Sequence, residues 1–128
     1  MNNRSVLVYV SGPISKGVLV DNIYNAMNVG ISLIRAGFSV IVPHANCFME
    51  AEIIHDHAFS PTNEQAGIVY EDWMEMDFEI ITRCNCVLRI PGESSGGDRE
   101  VEFARALGMP VFFDMVELLK AYGMKPNE

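Results

Sequence analysis

Two carboxylates stand where hydrophobic side chains are expected. Glu100 lies in SSGGDREVEFARALG, at the start of a helical pattern, and shares a helical face with Phe103, Ala104 and Leu107. Glu102 falls about 200° away on a more polar side. In GIVYEDWMEMDFEIITRC the apolar stripe runs Tyr70, Trp73, Met74, then Asp77, then Ile80 and Ile81, whereas Asp72, Glu75 and Glu79 fall where water reaches them. A carboxylate on an inward stripe is costly unless it is paired or used. Two readings fit each residue. Glu100 either complements the helix dipole or works on a ligand. Asp77 either caps a loop or pairs with an arginine, or it is an acid of raised pKa suited to proton transfer. Two carboxylates in one pocket suit cleavage at an acetal-like carbon. One attacks or stabilises the cationic centre and the other helps the leaving group depart, as in glycoside chemistry.

Two glycine-containing loops could present a ligand to such a pair. SGPISKG starts at Ser11, and PGESSGGD runs into the helix that carries Glu100. Free amides and the dipole at a helix N-terminus favour an anion, and Ser94 and Ser95 add hydroxyl donors. Alternatively the glycines only satisfy the geometry of a turn. Neither loop is a phosphate-binding loop of the G-x-x-x-x-G-K-[ST] type or a G-x-G-x-x-G fingerprint, so an NTPase or a dinucleotide-dependent dehydrogenase finds no support.

The elements that must position these residues are legible from periodicity. SVLVYV (5–10), FSVIV (38–42), NCVLRI (85–90) and MPVFF (109–113) read as short buried strands. Helical patterns fill 21–36, 68–83, about 98–108 and the MVELLKAYG segment. In the first of these, Ile23, Ala26, Met27, Gly30, Ile31 and Ile34 share one face. Residues 43–67 read as a possible helix, NCFMEAEIIHDH, followed by the loop SPTNEQAG, and form a long excursion of the kind used as a lid or binding loop. The alternation predicts an α/β fold: a parallel sheet with helices on both faces, in the order 2-1-3-4, or 2-1-3-4-5 with a further edge strand. Strands one and three are then neighbours at the switch point, where ligands bind at the strands' carboxyl ends. Both glycine loops leave from those ends.

The bulk numbers fit this picture. The chain has 128 residues, 49% of them hydrophobic and 20% charged, as expected of one globular domain over residues 1–128. A formal net charge of -8 argues against non-specific nucleic-acid binding but not against a small phosphorylated ligand. The N-terminal MNNRSVLVYVSG shows no signal-peptide pattern, and no window approaches a membrane span. Cys47, Cys84 and Cys86 are sparse and odd in number, which points to reduced thiols and a cytoplasmic protein.

VYVSGPIS, WMEMDFEIITRCNCVLRI and SSGGDREVEFARALGMPVF, taken in order, resemble the nucleoside 2-deoxyribosyltransferase superfamily, including its nucleoside 5′-monophosphate N-glycosidase branch and related small bacterial and phage proteins. The resemblance covers about residues 5–115. It implies a flavodoxin-like fold and cleavage of the N-glycosidic bond of a nucleoside or nucleoside 5′-monophosphate, by hydrolysis or by deoxyribosyl transfer. Glu100 matches the glutamate that acts at the anomeric carbon. Asp77 matches the aspartate that assists protonation of the departing base. Ser94, six residues before Glu100, occupies a position that holds the sugar 5′-hydroxyl as aspartate in transferases and lies near the 5′-phosphate as serine in nucleotide hydrolases. Tyr9, Gly12 and Ile14 match the first loop, which lines the site, and Ser11, Pro13, Ser95, Gly96 and Gly97 complete the two substrate-binding loops. No metal or organic cofactor is implied, and the expected partners are a small nucleoside or nucleotide and further copies of the chain, with no nucleic acid and no membrane. DREVEF is more charged than the family's usual surroundings of this glutamate, Pro13 departs from many relatives, and the C-terminal MKPNE lacks a match to the substrate contact donated by a neighbouring subunit. The alternative is a nucleotide or nucleotide-sugar sensor without turnover.

Weaker signals lie elsewhere in the chain. His44 and Asn46 follow the second strand, where His44 is either core or a base or sugar contact. His55-Asp56-His57 invites a metal reading, but adjacent helical positions point the two rings about 200° apart. Cys84-x-Cys86 is not a zinc spacing. Trp73 is either core or a platform for a base.

Overall fold

The computed structural model describes residues 3–47 and 68–123. Strand β1 (Asn3–Ser11) pairs in parallel with β2 (Phe38–Ile41) on one side and β3 (Cys86–Arg89) on the other, and β3 pairs with β4 (Val111–Phe112). The order is β2-β1-β3-β4, as the alternation predicts. Helices α1 (Leu19–Arg35), α2 (Tyr70–Ile81), α3 (Ser95–Ala106) and α4 (Met115–Ala121) connect and follow the strands, and a 3-10 turn (Pro43–Asn46) follows β2. Most of the 43–67 excursion, with the His55-Asp56-His57 motif, lies outside the described residues, as does MKPNE. Among the described residues no helix is long and apolar enough to cross a membrane.

Successive strand residues face opposite sides of a sheet, and here that alternation separates two cores. Val8, Val10, Cys86 and Leu88 pack with Ala26 and Leu33 of α1 and with Leu118 and Leu119 of α4. Tyr9 and Val87 pack on the other side with Ile81 of α2 and Ala104 of α3. Each fully buried Val or Leu contributes about 1.5–3 kcal/mol. Polar residues at the carboxyl ends of β1 and β3 therefore emerge on the side covered by α2 and α3.

Two expectations are corrected. The buried side of α1 is Ala26, Gly30 and Leu33, while Met27, Ile31 and Ile34 are exposed. The helix is apolar on two adjacent stripes, and the sheet takes the one with small residues. A Cβ on Gly30 would lie 2.8 Å from Val42 Cγ2, so only glycine lets the helix approach that closely. The second correction concerns α3, which begins at Ser95 rather than near 98. Ser94 adopts the N-cap position, and its hydroxyl oxygen accepts from Gly97 N at 2.9 Å. That capping bond draws Ser95, Gly96 and Gly97 into the first turn, so Glu100 sits in the second turn.

Candidate active site

Tyr9 and Ser11 project from β1 to the same side, two residues apart. Glu100 descends from α3 to meet both. Tyr9 Oη donates to Glu100 Oε2 at 2.6 Å, and Ser11 Oγ donates to Oε1 at 2.7 Å. All three are buried, and neither hydroxyl forms part of the cleft wall. Asp77 comes from α2, is 7% exposed, and leaves its Oδ1 without a hydrogen-bond partner.

The electrostatics divide these groups into acid and base. Burial and the neighbouring charge of Glu100 push Asp77 up to about 7. Burial also raises Glu100, but hydrogen bonds from Tyr9, Ser11 and Asp77 and the charge of Arg89 oppose the rise. Two hydroxyl donors favour a charged acceptor, whereas the orphaned oxygen of Asp77 favours a neutral one. These contacts favour the proton on Asp77 and the charge on Glu100. Burial and the two carboxylates drive the Tyr9 phenol far upward, so it stays a protonated donor.

Arg89 also belongs to this cluster, a side chain that neither the helical stripes nor the glycine loops single out. It ends β3 in register with Ser11 and is 7% exposed. Its guanidinium donates to Gly92 O at 2.9 Å, to Ile90 O, and to Asp98 Oδ1 at 3.1 Å. It thus pins the second glycine loop from beneath and brings positive charge toward Glu100. A Cβ on Gly97 would lie 2.8 Å from Arg89 Nε, which explains the glycine in the helix's first turn. The signal was present in NCVLRI, where a charge interrupts a buried strand just as Asp77 interrupts a helical stripe.

A cleft of about 830 Å³ opens above the carboxylates, within the range of small-molecule sites. Gly12, Ile14 and Lys16 of the first loop line one side. Ser94, Ser95, Gly96 and Gly97 line another, and Tyr70, Trp73 and Met74 of α2 supply an apolar wall that continues into Asp77. Asn46 and Cys47 close the edge near β2. At the mouth, Lys16 Nζ faces Glu93 Oε1 at 3.9 Å, with both side chains largely exposed. The amides of Ser95 and Gly96, in the first turn of α3, have no intrahelical acceptor and remain available to a ligand.

His44 and Pro13 sit behind this wall. His44 Nε2 donates to Pro13 O at 3.0 Å, and the ring is 1% exposed. Burial lowers its pKa against the pull of the Pro13 and Gly12 carbonyls, so the ring is neutral and acts as a strut for the first loop. Pro13 faces a second, smaller cavity of about 460 Å³ beside Asn22 and Asn25. Among the described residues no group of three or more His, Cys, Asp or Glu is arranged to hold a metal ion.

Residues 6–113 match the family described as a domain of unknown function, DUF4406. The chain belongs to this family. No curated protein matches this DUF4406 chain. Among solved structures it is similar to a 2-deoxyribosyltransferase from the psychrotolerant bacterium Bacillus psychrosaccharolyticus, with 18% identity, a TM-score of 0.53, and coverage of 93% of this chain and 82% of that one. It is also similar to a 2-desoxiribosyltransferase from Leishmania mexicana, with 16% identity, a TM-score of 0.51, and coverage of 93% and 72%. The DUF4406 chain thus has the 2-deoxyribosyltransferase-like, flavodoxin-like fold that its motifs imply.

Proposed function

We propose that this protein cleaves the N-glycosidic bond of a nucleoside 5′-monophosphate or nucleoside, passing the sugar to water or to a second base. The observation that carries this reading is the buried Glu100–Asp77 pair at the floor of one cleft, with Glu100 held by two hydroxyl donors and one oxygen of Asp77 left without a partner. Glu100 Oε attacks the anomeric carbon as the bond to the base nitrogen breaks. Its charge stabilises the oxocarbenium character that develops. Asp77 delivers its proton to the departing base, so base and enzyme leave the step with balanced charge. Water, or an incoming base, then attacks the anomeric carbon and frees Glu100, and Asp77 takes a proton back from that nucleophile. Tyr9 and Ser11 hold the Glu100 carboxylate in place, and with Asp77 as a third donor one of its roughly four lone-pair sites remains for the attack.

The remaining wall fits the rest of such a substrate. Tyr70, Trp73 and Met74 offer apolar surface to a base next to the acid that protonates it. The Ser95 and Gly96 amides, the Ser94 O–H and the Lys16 ammonium gather where a 5′-phosphate would sit. Ser94 spends its acceptor on the cap, which leaves its hydroxyl hydrogen for the ligand.

The test is chromatographic detection of free base from a panel of nucleosides and nucleoside 5′-monophosphates, with and without an acceptor base. Release from monophosphates, abolished in Glu100→Ala, is the expected result. Exchange only with an acceptor present makes the reaction a transfer. Binding without any release overturns catalysis and leaves a nucleotide-binding module.

A further inference from the structure

α1 carries a second apolar stripe that is not packed against the sheet and stays exposed among the described residues. Val20, Tyr24, Met27, Ile31 and Ile34 are spaced 4-3-4-3 and lie within about 40° of one line along the helix. They are between 37% and 72% exposed. The stripe spans about 21 Å of helix. A contiguous exposed apolar band of this size on a soluble domain marks an interaction surface, and its spacing is that of a two-helix seam.

The flanks of the stripe say what covers it. On the inner side are Ile23, half-buried, and Gly30, buried against the sheet. On the outer side, seven residues apart, are Asp21, Asn28 and Arg35, all exposed. Asp21 and Arg35 form no ion pair among the described residues. When two copies of one helix pack antiparallel about a two-fold axis, residues of the same flank meet in reverse order. Asp21 then faces Arg35 of the partner subunit at both ends, Asn28 meets its own copy at the axis, Val20 opposes Ile34, and Tyr24 opposes Ile31. A parallel pair would leave both charges unmatched, because the inner flank offers no charged residue. The spacing and the charges are thus both self-complementary about one point near Met27 and Asn28, which is what an isologous interface requires.

We infer that a second copy of this chain covers α1, in an antiparallel α1–α1 contact centred near Met27 and Asn28. The inference rests on α1 alone and is independent of the chemistry proposed for the cleft.

Sedimentation velocity across a wide dilution series tests it. The wild type is expected to shift from monomer to dimer with concentration, and Ile31→Glu is expected to stay monomeric. Ile31 is exposed, and an unchanged circular dichroism spectrum and melting temperature establish that this variant folds. Asp21→Arg and Arg35→Asp, each placing like charges opposite one another, are expected to raise the dissociation constant roughly tenfold. The combined D21R/R35D variant is expected to restore it. A wild type that remains monomeric throughout overturns the inference and leaves the stripe to a different protein. Dimerisation of Ile31→Glu, or a double variant no tighter than the weaker single one, overturns this interface. Base release is measured separately, so failure of the dimer and failure of the proposed catalysis are read independently.

Discussion

The position of one proton governs the chemistry proposed here. The folded pKa of Asp77, about 7, lies above its ordinary value of 3.8. The folded state therefore binds this proton more tightly than the unfolded chain does. The stability this contributes is complete below the ordinary value and is lost as pH rises through about 7. Asp77→Asn, which cannot ionise, should gain on the wild type between about pH 5 and about pH 8, by on the order of 1–3 kcal/mol in thermal melts. The same substitution should cost about 10²–10⁴-fold in base release. It should also remove the alkaline limb of the rate profile, which in the wild type falls as Asp77 loses its proton. A variant whose melting point tracks the wild type at every pH would show that Asp77 ionises freely. Both members of this pair were legible in the sequence, because each breaks an apolar stripe. The sequence also offers Asp77 as an acid of raised pKa, but not the contacts behind that role, because Tyr9 and Ser11 read there as substrate-binding residues of the first loop and only the fold brings their hydroxyls onto Glu100.

Among the elements, α3 carries the site and shows what periodicity misses. A run of serine and glycine reads as loop by composition, yet the Ser94 cap makes it helix. The nearby guanidinium of Arg89 then requires glycine at 97. Nothing local in the sequence announces that contact, since Arg89 belongs to a different element. Ser94→Ala removes the cap and should destabilise the protein by about 1 kcal/mol. It also removes the hydroxyl donor and frees the Gly97 amide. The expected kinetic signature is a higher KM for monophosphates, with little change for free nucleosides. An equal loss on both substrates would assign Ser94 to the cap alone. The strand order and the parallel sense of pairing were legible from alternation. The face that α1 buries was not, because two apolar stripes compete there and only the docked geometry of Gly30 chooses between them.

At the scale of the whole molecule, charge opposes the proposed substrate. The chain carries 17 acidic and 9 basic side chains, so an anionic nucleotide approaches a repulsive field. Between about 0.01 and about 0.15 M salt the Debye length falls from ~30 to ~8 Å. Screening should therefore raise kcat/KM for monophosphates and leave that for uncharged nucleosides unchanged. A fall with salt would mean that Lys16 and the loop amides dominate the approach. The topology has a further effect. Tyr9 and Ser11 reach Glu100 across 91 and 89 residues of chain. Of the four described strands β1 is made first, yet it lies inside the sheet and waits for both of its neighbours. On the ribosome its hydroxyls emerge long before the carboxylate they serve. A nascent chain halted before α3 cannot assemble the pair, and the two parts of a chain cut between α2 and β3 must reassociate to regain it. Glycosidic cleavage would thus report that synthesis had passed α3, and would serve as an assay for fragment complementation.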